Sequence, residues 1–132
     1  MAERVHTDLA PVSAETKASG SIVELTLANE GDVKLADFDR WDVIVEYDAS
    51  SGDHIIDWIP YEELTENRWW TVKGIYLDAS AGITETFEPN ILNPGEEVII
   101  QLWLSPTVGL TTTNLATVAT PNGISASQVF TR

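Results

Sequence analysis

The clearest strand pattern of the chain is the run Trp41-Asp42-Val43-Ile44-Val45-Glu46-Tyr47-Asp48. Side chains of a β-strand point alternately to its two faces, so every second residue from Trp41 onward belongs to one apolar face. The other face is acidic except at Ile44. The run therefore predicts a half-buried strand. Ser50-Ser51-Gly52-Asp53 then predicts a turn into a second strand, 54–59, which Pro60 ends.

The same alternation recurs along the chain between turn residues, and helical periodicity is almost absent. Beyond residue 60, residues 61–66 favour a loop, and Gly74 is a candidate β-bulge or a point of close backbone approach. Asn93-Pro94-Gly95-Glu96 favours a tight turn, and Asn122-Gly123 suits a type I′ hairpin turn. The further strand-like runs are 21–29, 70–77, 97–104, 114–120 and 123–130. This spacing predicts an all-β fold, an immunoglobulin-like β-sandwich of about seven to eight antiparallel strands.

The length of 132 residues fits one domain. Residues 21–132 form the predicted sandwich, and residues 1–20 are either an N-terminal edge strand or a stalk. The N-terminal sequence lacks the apolar stretch of a signal peptide or of a bilayer-spanning helix. A chain that begins directly with a polar, strand-like segment is also what remains after removal of an N-terminal membrane anchor, and both interpretations stay open.

The charge balance limits the classes of partner. The chain has 21 acidic and 7 basic residues, a formal net charge of −14, and no cysteine. Such a field repels phosphate backbones and anionic membrane surfaces, so nucleic acid is excluded as an expected partner. The lack of cysteine excludes disulfide frameworks, thiolate metal sites and cysteine nucleophiles.

No motif indicates catalysis. His6 and His54 are far apart, no serine lies in a Gly-x-Ser-x-Gly elbow, and no glycine-rich loop precedes a helix. We therefore expect no enzyme and no cofactor. The main metal hypothesis is calcium at Asp37, Asp39 and Asp42, three carboxylates in one short turn, against the alternative of a solvated turn. A second acidic group, Asp48, Asp53 and Asp57, ranks below it.

The five tryptophans supply the candidate contact residues. Trp41 and Trp103 are predicted to point into the core. Consecutive residues of a strand point to opposite faces, so one of Trp69 and Trp70 is predicted to be exposed. Exposed aromatic side chains often mark interfaces, and the predicted contact surface consists of Trp58, Tyr61, Trp69 and Trp70.

Several turns together resemble a known family. They are Leu27-Ala28-Asn29-Glu30-Gly31-Asp32-Val33-Lys34-Leu35, Asp37-Phe38-Asp39-Arg40-Trp41-Asp42-Val43, Ile91-Leu92-Asn93-Pro94-Gly95-Glu96-Glu97 and Thr120-Pro121-Asn122-Gly123-Ile124. Over residues 21–131 the chain resembles the globular domain of archaellum proteins, meaning archaellins and pilin-like stator subunits. In that family a hydrophobic N-terminal helix acts as an anchor or packs the filament core, and this chain does not contain one.

The resemblance implies an extracellular or cell-surface domain that contacts a protein partner, or copies of itself, in an appendage or envelope assembly. Contact with a membrane is expected only through the N-terminal anchor that this chain lacks. The first alternative is a carbohydrate-binding module that uses exposed tryptophans, and the second is an accessory domain of an enzyme. A sugar binder should present a flat row of aromatic rings on one sheet, whereas an assembly domain should present an unpaired strand edge or an apolar patch.

Overall fold

The computed structural model describes residues 7–86 and 88–132. In this part of the chain the regular elements are nine strands and two short 3₁₀ helices, Ala18–Gly20 and Phe38–Arg40. The strands are β1 (Leu9–Lys17), β2 (Ile22–Asn29), β3 (Asp42–Asp48), β4 (His54–Ile59), β5 (Arg68–Asp78), β6 (Ile83–Thr84), β7 (Glu97–Leu104), β8 (Asn114–Ala119) and β9 (Ser125–Phe130). None of the helices in the described residues is long and apolar enough to cross a membrane.

The strands form two antiparallel sheets, a five-stranded sheet β1-β2-β7-β5-β6 and a four-stranded sheet β4-β3-β8-β9. Without β6, the first order corresponds to strands A, B, E and D of the immunoglobulin fold. The second corresponds to C, F and G with one strand added beside C. The predicted sandwich is confirmed. The two-residue strand β6 was not predicted, because a period of two cannot be read from two residues.

The core lies between the inward faces of the two sheets. Val43 and Val45 of β3 face Leu25 of β2 and Ile100 of β7 across the sandwich, and all four are fully buried. Burial of each such side chain stabilises the fold by about 1.5–3 kcal/mol. The largest core side chains are those of Tyr47, Trp41 and Trp70, which are at most 2% exposed. The prediction that Trp41 is a core residue is therefore confirmed.

Strand β5 contains the predicted bulge. Its register against β7 shifts between Val72 and Gly74, so Lys73 is the extra residue. The shift changes which residues point inward: Trp70 and Val72 pack on the core before the bulge, and Ile75 packs on it afterwards. Lys73 is exposed on the outer side and reaches Glu24 of β2, with 3.1 Å between Nζ and Oε2.

Two local predictions were wrong. Trp103 points to the outer side of the five-stranded sheet, because Leu102 and Leu104 take the inward positions of β7. The turn between β8 and β9 is not type I′, which needs two consecutive left-handed residues. The Gly123 N–H donates to the Thr120 carbonyl oxygen at 3.0 Å, so Pro121 and Asn122 are the two central residues of the turn. Only Gly123, the fourth residue, has a positive φ, +87°, and this pattern is that of a type I turn.

The first strand belongs to the sandwich. β1 is the outermost strand of the five-stranded sheet and pairs with β2 from Leu9 opposite Asn29 to Lys17 opposite Ile22, with one register shift between Pro11 and Ser13. At its far end Thr16 Oγ1 donates to the Thr131 carbonyl oxygen at 2.6 Å, next to β9 of the other sheet. One side of the sandwich is therefore closed by β1. Residues 1–6 of the predicted N-terminal segment lie outside the described residues.

A candidate protein-contact face on the four-stranded sheet

The outer face of the four-stranded sheet carries a patch of exposed apolar side chains. Strand pairing places Trp58 opposite Ile44, and Leu115 opposite Val129. Ile56 lies two residues before Trp58 on the same face of β4 and is 66% exposed. The exposed fractions of the other four residues are between 37% and 54%. We call the outward residues of β3, β4, β8 and β9 the contact face.

The patch extends across the whole sheet. Ile56 lies on the outermost strand β4 and Val129 on the opposite outermost strand β9. Three strand spacings separate them, or about 14 Å. Scattered apolar residues are normal on protein surfaces, but large contiguous patches mark interaction sites. Here five exposed apolar side chains lie on four adjacent strands of one face, with Glu46 between Ile56 and Leu115, and this grouping makes the face a candidate interaction site.

A hydrogen bond holds the one aromatic ring of the contact face in place. Trp58 Nε1 donates to Asp42 Oδ1 on the neighbouring strand at 2.9 Å, while 53% of the residue stays exposed. A side chain that is already fixed loses less conformational entropy when a partner covers it. Tryptophan in a defined orientation is also the residue type that most often dominates binding energy at interfaces.

Three charged groups lie together at one end of the face. His54 Nδ1 is 2.7 Å from Asp48 Oδ1, and His54 Nε2 is 3.1 Å from Glu46 Oε2. The hydrogen bonds to Asp48 and then to Glu46 raise the pKa of His54 above its usual value of 6.5. Glu46 lies opposite both Ile56 and Leu115, so a carboxylate stands inside the apolar patch.

The outer face of the five-stranded sheet is polar at its centre. The Glu24 carboxylate is nearly buried and is contacted by Lys17 at 2.9 Å, Lys73 at 3.1 Å and the Gln101 side-chain amide at 2.7 Å. Burial alone would raise the pKa of Glu24, but hydrogen bonds from Gln101, Lys17 and Lys73 outweigh it and hold the pKa below 4.5. The centre of this face is therefore occupied by an internally paired charged cluster, and its apolar residues, such as Val12 and the stacked Trp69 and Trp103, lie around that cluster.

The structure separates the four predicted contact residues. Trp70 is fully buried, so its assignment to the contact surface was wrong: of the Trp69–Trp70 pair, Trp70 takes the inward position. Tyr61 packs edge-on against Trp70, with 4.8 Å between ring centroids. Trp69 stacks on Trp103 on the outer side of the five-stranded sheet, with 5.0 Å between centroids and 5° between planes. Of the four, only Trp58 lies on the contact face.

The remaining apolar residues of the contact face were not predicted. Ile44 had a visible signal, because it interrupts the acidic face of β3. Ile55-Ile56 had another, because one of two consecutive isoleucines in a strand points outward. Leu115 and Val129 had no comparable signal, since their grouping with β3 and β4 depends on the order of strands in the sheet.

The predicted calcium residues do not form a cluster. Asp37, Asp39 and Asp42 are exposed, and the Asp42 carboxylate accepts the hydrogen bond of Trp58. Within residues 7–86 and 88–132, no group of three or more His, Asp or Glu side chains is placed to hold a metal ion. Calcium binding at this turn stays a prediction, which calorimetry with about millimolar calcium would contradict by showing no heat.

The outermost strand β4 is protected against pairing with a further strand. Arg68 of β5 donates from Nε to Asp57 Oδ2 at 2.7 Å and from Nη1 to the Ser105 carbonyl oxygen at 2.8 Å. This ion pair joins the two sheets beside β4. Charged side chains at a sheet edge oppose strand addition, and β4 is six residues long. The face of the sheet is therefore more available for contact than its edge.

Two solved structures are similar to this fold. The archaellum periplasmic stator protein FlaG from Sulfolobus acidocaldarius superposes with a TM-score of 0.70 and 22% identity, over 94% of this chain and 99% of that chain. The complex of the archaellum periplasmic stator proteins FlaF and FlaG from the same organism gives a TM-score of 0.69 and 22% identity, over 97% of this chain and 92% of that chain. No protein-family model matches the chain, and no curated protein matches it. At the level of the fold, the resemblance to an archaellum globular domain is confirmed.

Proposed function

We propose that the chain is an extracytoplasmic assembly domain of an archaellum-type stator, which acts by binding another protein through the contact face. The observation that carries the proposal is the exposed apolar patch of Ile44, Ile56, Trp58, Leu115 and Val129 on a single sheet. The proposal assigns the chain no chemical step of its own.

The similar structures support the class of assembly. Both are described as stator proteins of the archaellum, and one was solved as a complex of two proteins. Fold likeness alone does not carry function over, because one sandwich fold serves many purposes. The apolar face supplies the second, independent argument, since water-exposed apolar area of this extent is stabilised when a partner covers it.

The carbohydrate-binding alternative is not supported by the positions of the aromatic rings. Trp58 lies on the four-stranded sheet, whereas Trp69 and Trp103 lie on the five-stranded sheet and stack on each other. Trp41 and Trp70 are buried. A flat row of rings on one sheet, which a sugar-binding platform needs, is absent from the described residues.

The proposal is tested in cells of the source organism by replacing the gene with the variant Ile56→Asp. A carboxylate in the centre of an apolar contact is strongly unfavourable, so we expect loss of assembled archaella under the electron microscope and loss of swimming. The side chain of residue 56 points to solvent, so the purified variant should remain folded and lose only about 1 kcal/mol of stability, from the weak strand preference of Asp and from its position opposite Glu46.

The matched control is Val12→Asp on β1. Val12 is also an apolar residue and is 50% exposed, but it lies on the five-stranded sheet. We expect cells with this variant to assemble archaella and to swim normally. Normal archaella in the Ile56→Asp strain, or equal loss in both strains, would contradict the proposed function.

A further inference from the structure

We infer that the contact face binds a different protein rather than a second copy of this chain, and that this partner brings a Lys or Arg side chain to Glu46 within an apolar contact. The inference rests on the proposed function and specifies the partner of the same face. It follows from where the charges of the chain lie.

Glu46 is placed so that a partner must cover it. Its neighbours on the adjacent strands are Ile56 on one side and Leu115 on the other. A protein surface that packs on both of these apolar residues also removes water from the carboxylate between them. A carboxylate that loses water without gaining a partner is strongly unfavourable, so the occupant must supply one.

The chain itself provides a hydrogen-bond partner for only one of the two Glu46 carboxylate oxygens. Oε2 is 3.1 Å from His54 Nε2, whereas Oε1 accepts no hydrogen bond from the described residues. His54 is shared with Asp48, whose Oδ1 lies 2.7 Å from Nδ1. One imidazolium can balance one of these two carboxylates, so a negative charge remains at this end of the face even when His54 is protonated.

The contact face contains no strong cation. The outward positions of β3, β4, β8 and β9 include Asp42, Glu46 and Asp48 but no Lys or Arg. Among the described basic residues, Lys17 and Lys73 are bound to Glu24 on the other sheet, and Arg68 is bound to Asp57. The other three lie outside these four strands: Lys34 is bound to Glu88, Arg132 donates to the Val108 carbonyl oxygen, and Arg40 belongs to the 3₁₀ helix before β3. The face therefore combines apolar area with uncompensated negative charge.

A second copy fits this surface poorly. In a two-fold symmetric dimer the same patch lies on both sides of the interface, so Glu46 and its acidic neighbours would be covered by a surface that offers them no Lys or Arg. Each copy also carries a formal net charge of −14. Like charges brought together in an interface are strongly repulsive, whereas an apolar surface with a Lys or Arg at its centre complements the face in both respects.

The partner is identified in cells of the source organism with a photoreactive amino acid at position 56, and in a second strain at position 129. Both side chains are more than half exposed. We expect a covalent adduct with a protein other than this chain, and mass spectrometry should place the crosslink in an apolar segment that contains Lys or Arg. Light scattering of the purified chain over a concentration series should show a monomer.

The purified partner then serves as the probe in a binding assay. We expect Glu46→Gln to weaken binding about tenfold and Glu46→Lys about a hundredfold or more, because the second change places two cations against each other. The control Glu15→Lys makes the same charge change on the five-stranded sheet, where its side chain is 70% exposed, and should change affinity less than about threefold.

The outcomes separate this inference from the proposed function. Crosslinking to a second copy, a dimer that Ile56→Asp dissociates, no adduct at either position, or unchanged affinity in Glu46→Lys would each overturn the inference. A partner that is no archaellum protein, but that loses affinity with Glu46→Lys and not with Glu15→Lys, would contradict the proposed function and support the inference.

Discussion

The side-chain amide of Asn29 donates a hydrogen bond to the main-chain carbonyl oxygen of Leu92 at 2.9 Å, across the end of the sandwich. The same amide donates to the Val33 carbonyl oxygen at 2.8 Å, and Asn29 Oδ1 accepts from the Gly31 N–H at 3.0 Å. Asn29 is 1% exposed. One buried side chain thus joins the turn after β2 to the turn before β7, two of the turns on which the archaellum resemblance is based.

We expect Asn29→Ala to lower the free energy of unfolding by about 2–4 kcal/mol, because it leaves buried main-chain groups without partners. Asn29→Asp should be at least as destabilising, since a carboxylate oxygen would face the Val33 and Leu92 carbonyl oxygens. Urea unfolding measures both. The control Asn67→Ala, at an exposed position before β5, should cost less than about 0.5 kcal/mol. Wild-type stability of Asn29→Asp would show that the amide is not a donor here.

The Glu24 cluster should make stability depend on acid pH. The pKa of Glu24 is lower in the folded chain than its usual value of 4.5. A carboxylate with a lowered folded pKa contributes its stability fully above the unfolded pKa, and this contribution is lost as the pH falls through the folded pKa. Urea midpoints should therefore fall less steeply below pH about 4.5 in Glu24→Gln than in the wild type.

At neutral pH, Glu24→Gln should itself be destabilising, because Lys17 and Lys73 lose a charged partner that is nearly buried. We expect about 1–3 kcal/mol. Glu63→Gln, at an exposed loop carboxylate, is the control for the change of net charge. Parallel pH profiles of the wild type and Glu24→Gln would show that the cluster does not couple protonation to folding.

His54 should titrate above its usual value of 6.5, since Asp48 and Glu46 both bind its ring. A group with a raised folded pKa stabilises the fold below its unfolded pKa, and this contribution disappears as the pH rises through the folded pKa. Two-dimensional NMR of the imidazole protons measures the pKa directly. We expect Asp48→Asn to lower it. An unchanged His54 pKa in Asp48→Asn would mean that the carboxylate does not bind the ring in solution.

Two buried tryptophans differ in the hydrogen bonding of their indole nitrogens. Trp41 Nε1 donates to the Ala36 carbonyl oxygen at 2.9 Å, whereas Trp70 Nε1 has no acceptor among the described residues. Replacement by Phe removes similar volume at both sites. We expect Trp41→Phe to cost about 1–2 kcal/mol more than Trp70→Phe in urea unfolding, because only the first change leaves a carbonyl oxygen unpaired. Equal costs would contradict the assigned hydrogen bond.

Gly20 and Gly52 have nearly the same φ but differ in how much space a side chain would find. Both have positive φ, +91° and +92°. A Cβ at Gly20 would lie 2.7 Å from the Val108 carbonyl oxygen, whereas a Cβ at Gly52 would have nothing within 4 Å. We expect Gly52→Ala to cost about 1–2 kcal/mol from the left-handed conformation alone, and Gly20→Ala distinctly more. Equal destabilisation would show that the loop at Val108 moves aside freely.

Much of the fold could be predicted from alternation and turn chemistry alone. The strand that follows Trp41 was predicted because apolar and polar residues alternate along it. The strand that follows Asn93-Pro94-Gly95-Glu96 was predicted because a clear turn precedes it. The bulge at Gly74 was predicted because glycine is favoured where a strand is locally irregular. These are local signals, and they survive in the tertiary structure.

The failures occurred where both faces of a strand are apolar. In β7 almost every position from Val98 to Leu104 is apolar, so alternation does not decide whether Trp103 or its neighbours point inward. The same holds for Trp69 and Trp70. The contact face could not be predicted as a unit, because Leu115 reaches Glu46 only through the pairing of β8 with β3. That pairing joins segments far apart in the sequence and depends on the order of the whole sheet.

The stacked rings of Trp69 and Trp103 give the protein an optical signal of its own. Two indoles with ring centroids 5.0 Å apart couple their electronic transitions, and this coupling produces a paired positive and negative band in circular dichroism when the two transition moments are rotated relative to each other. The pair joins β5 to β7, so the bands should vanish when these strands separate. Trp58, on the opposite sheet, should instead change its fluorescence when the contact face is covered. Unfolding and complex formation can therefore be followed independently in one unlabelled sample.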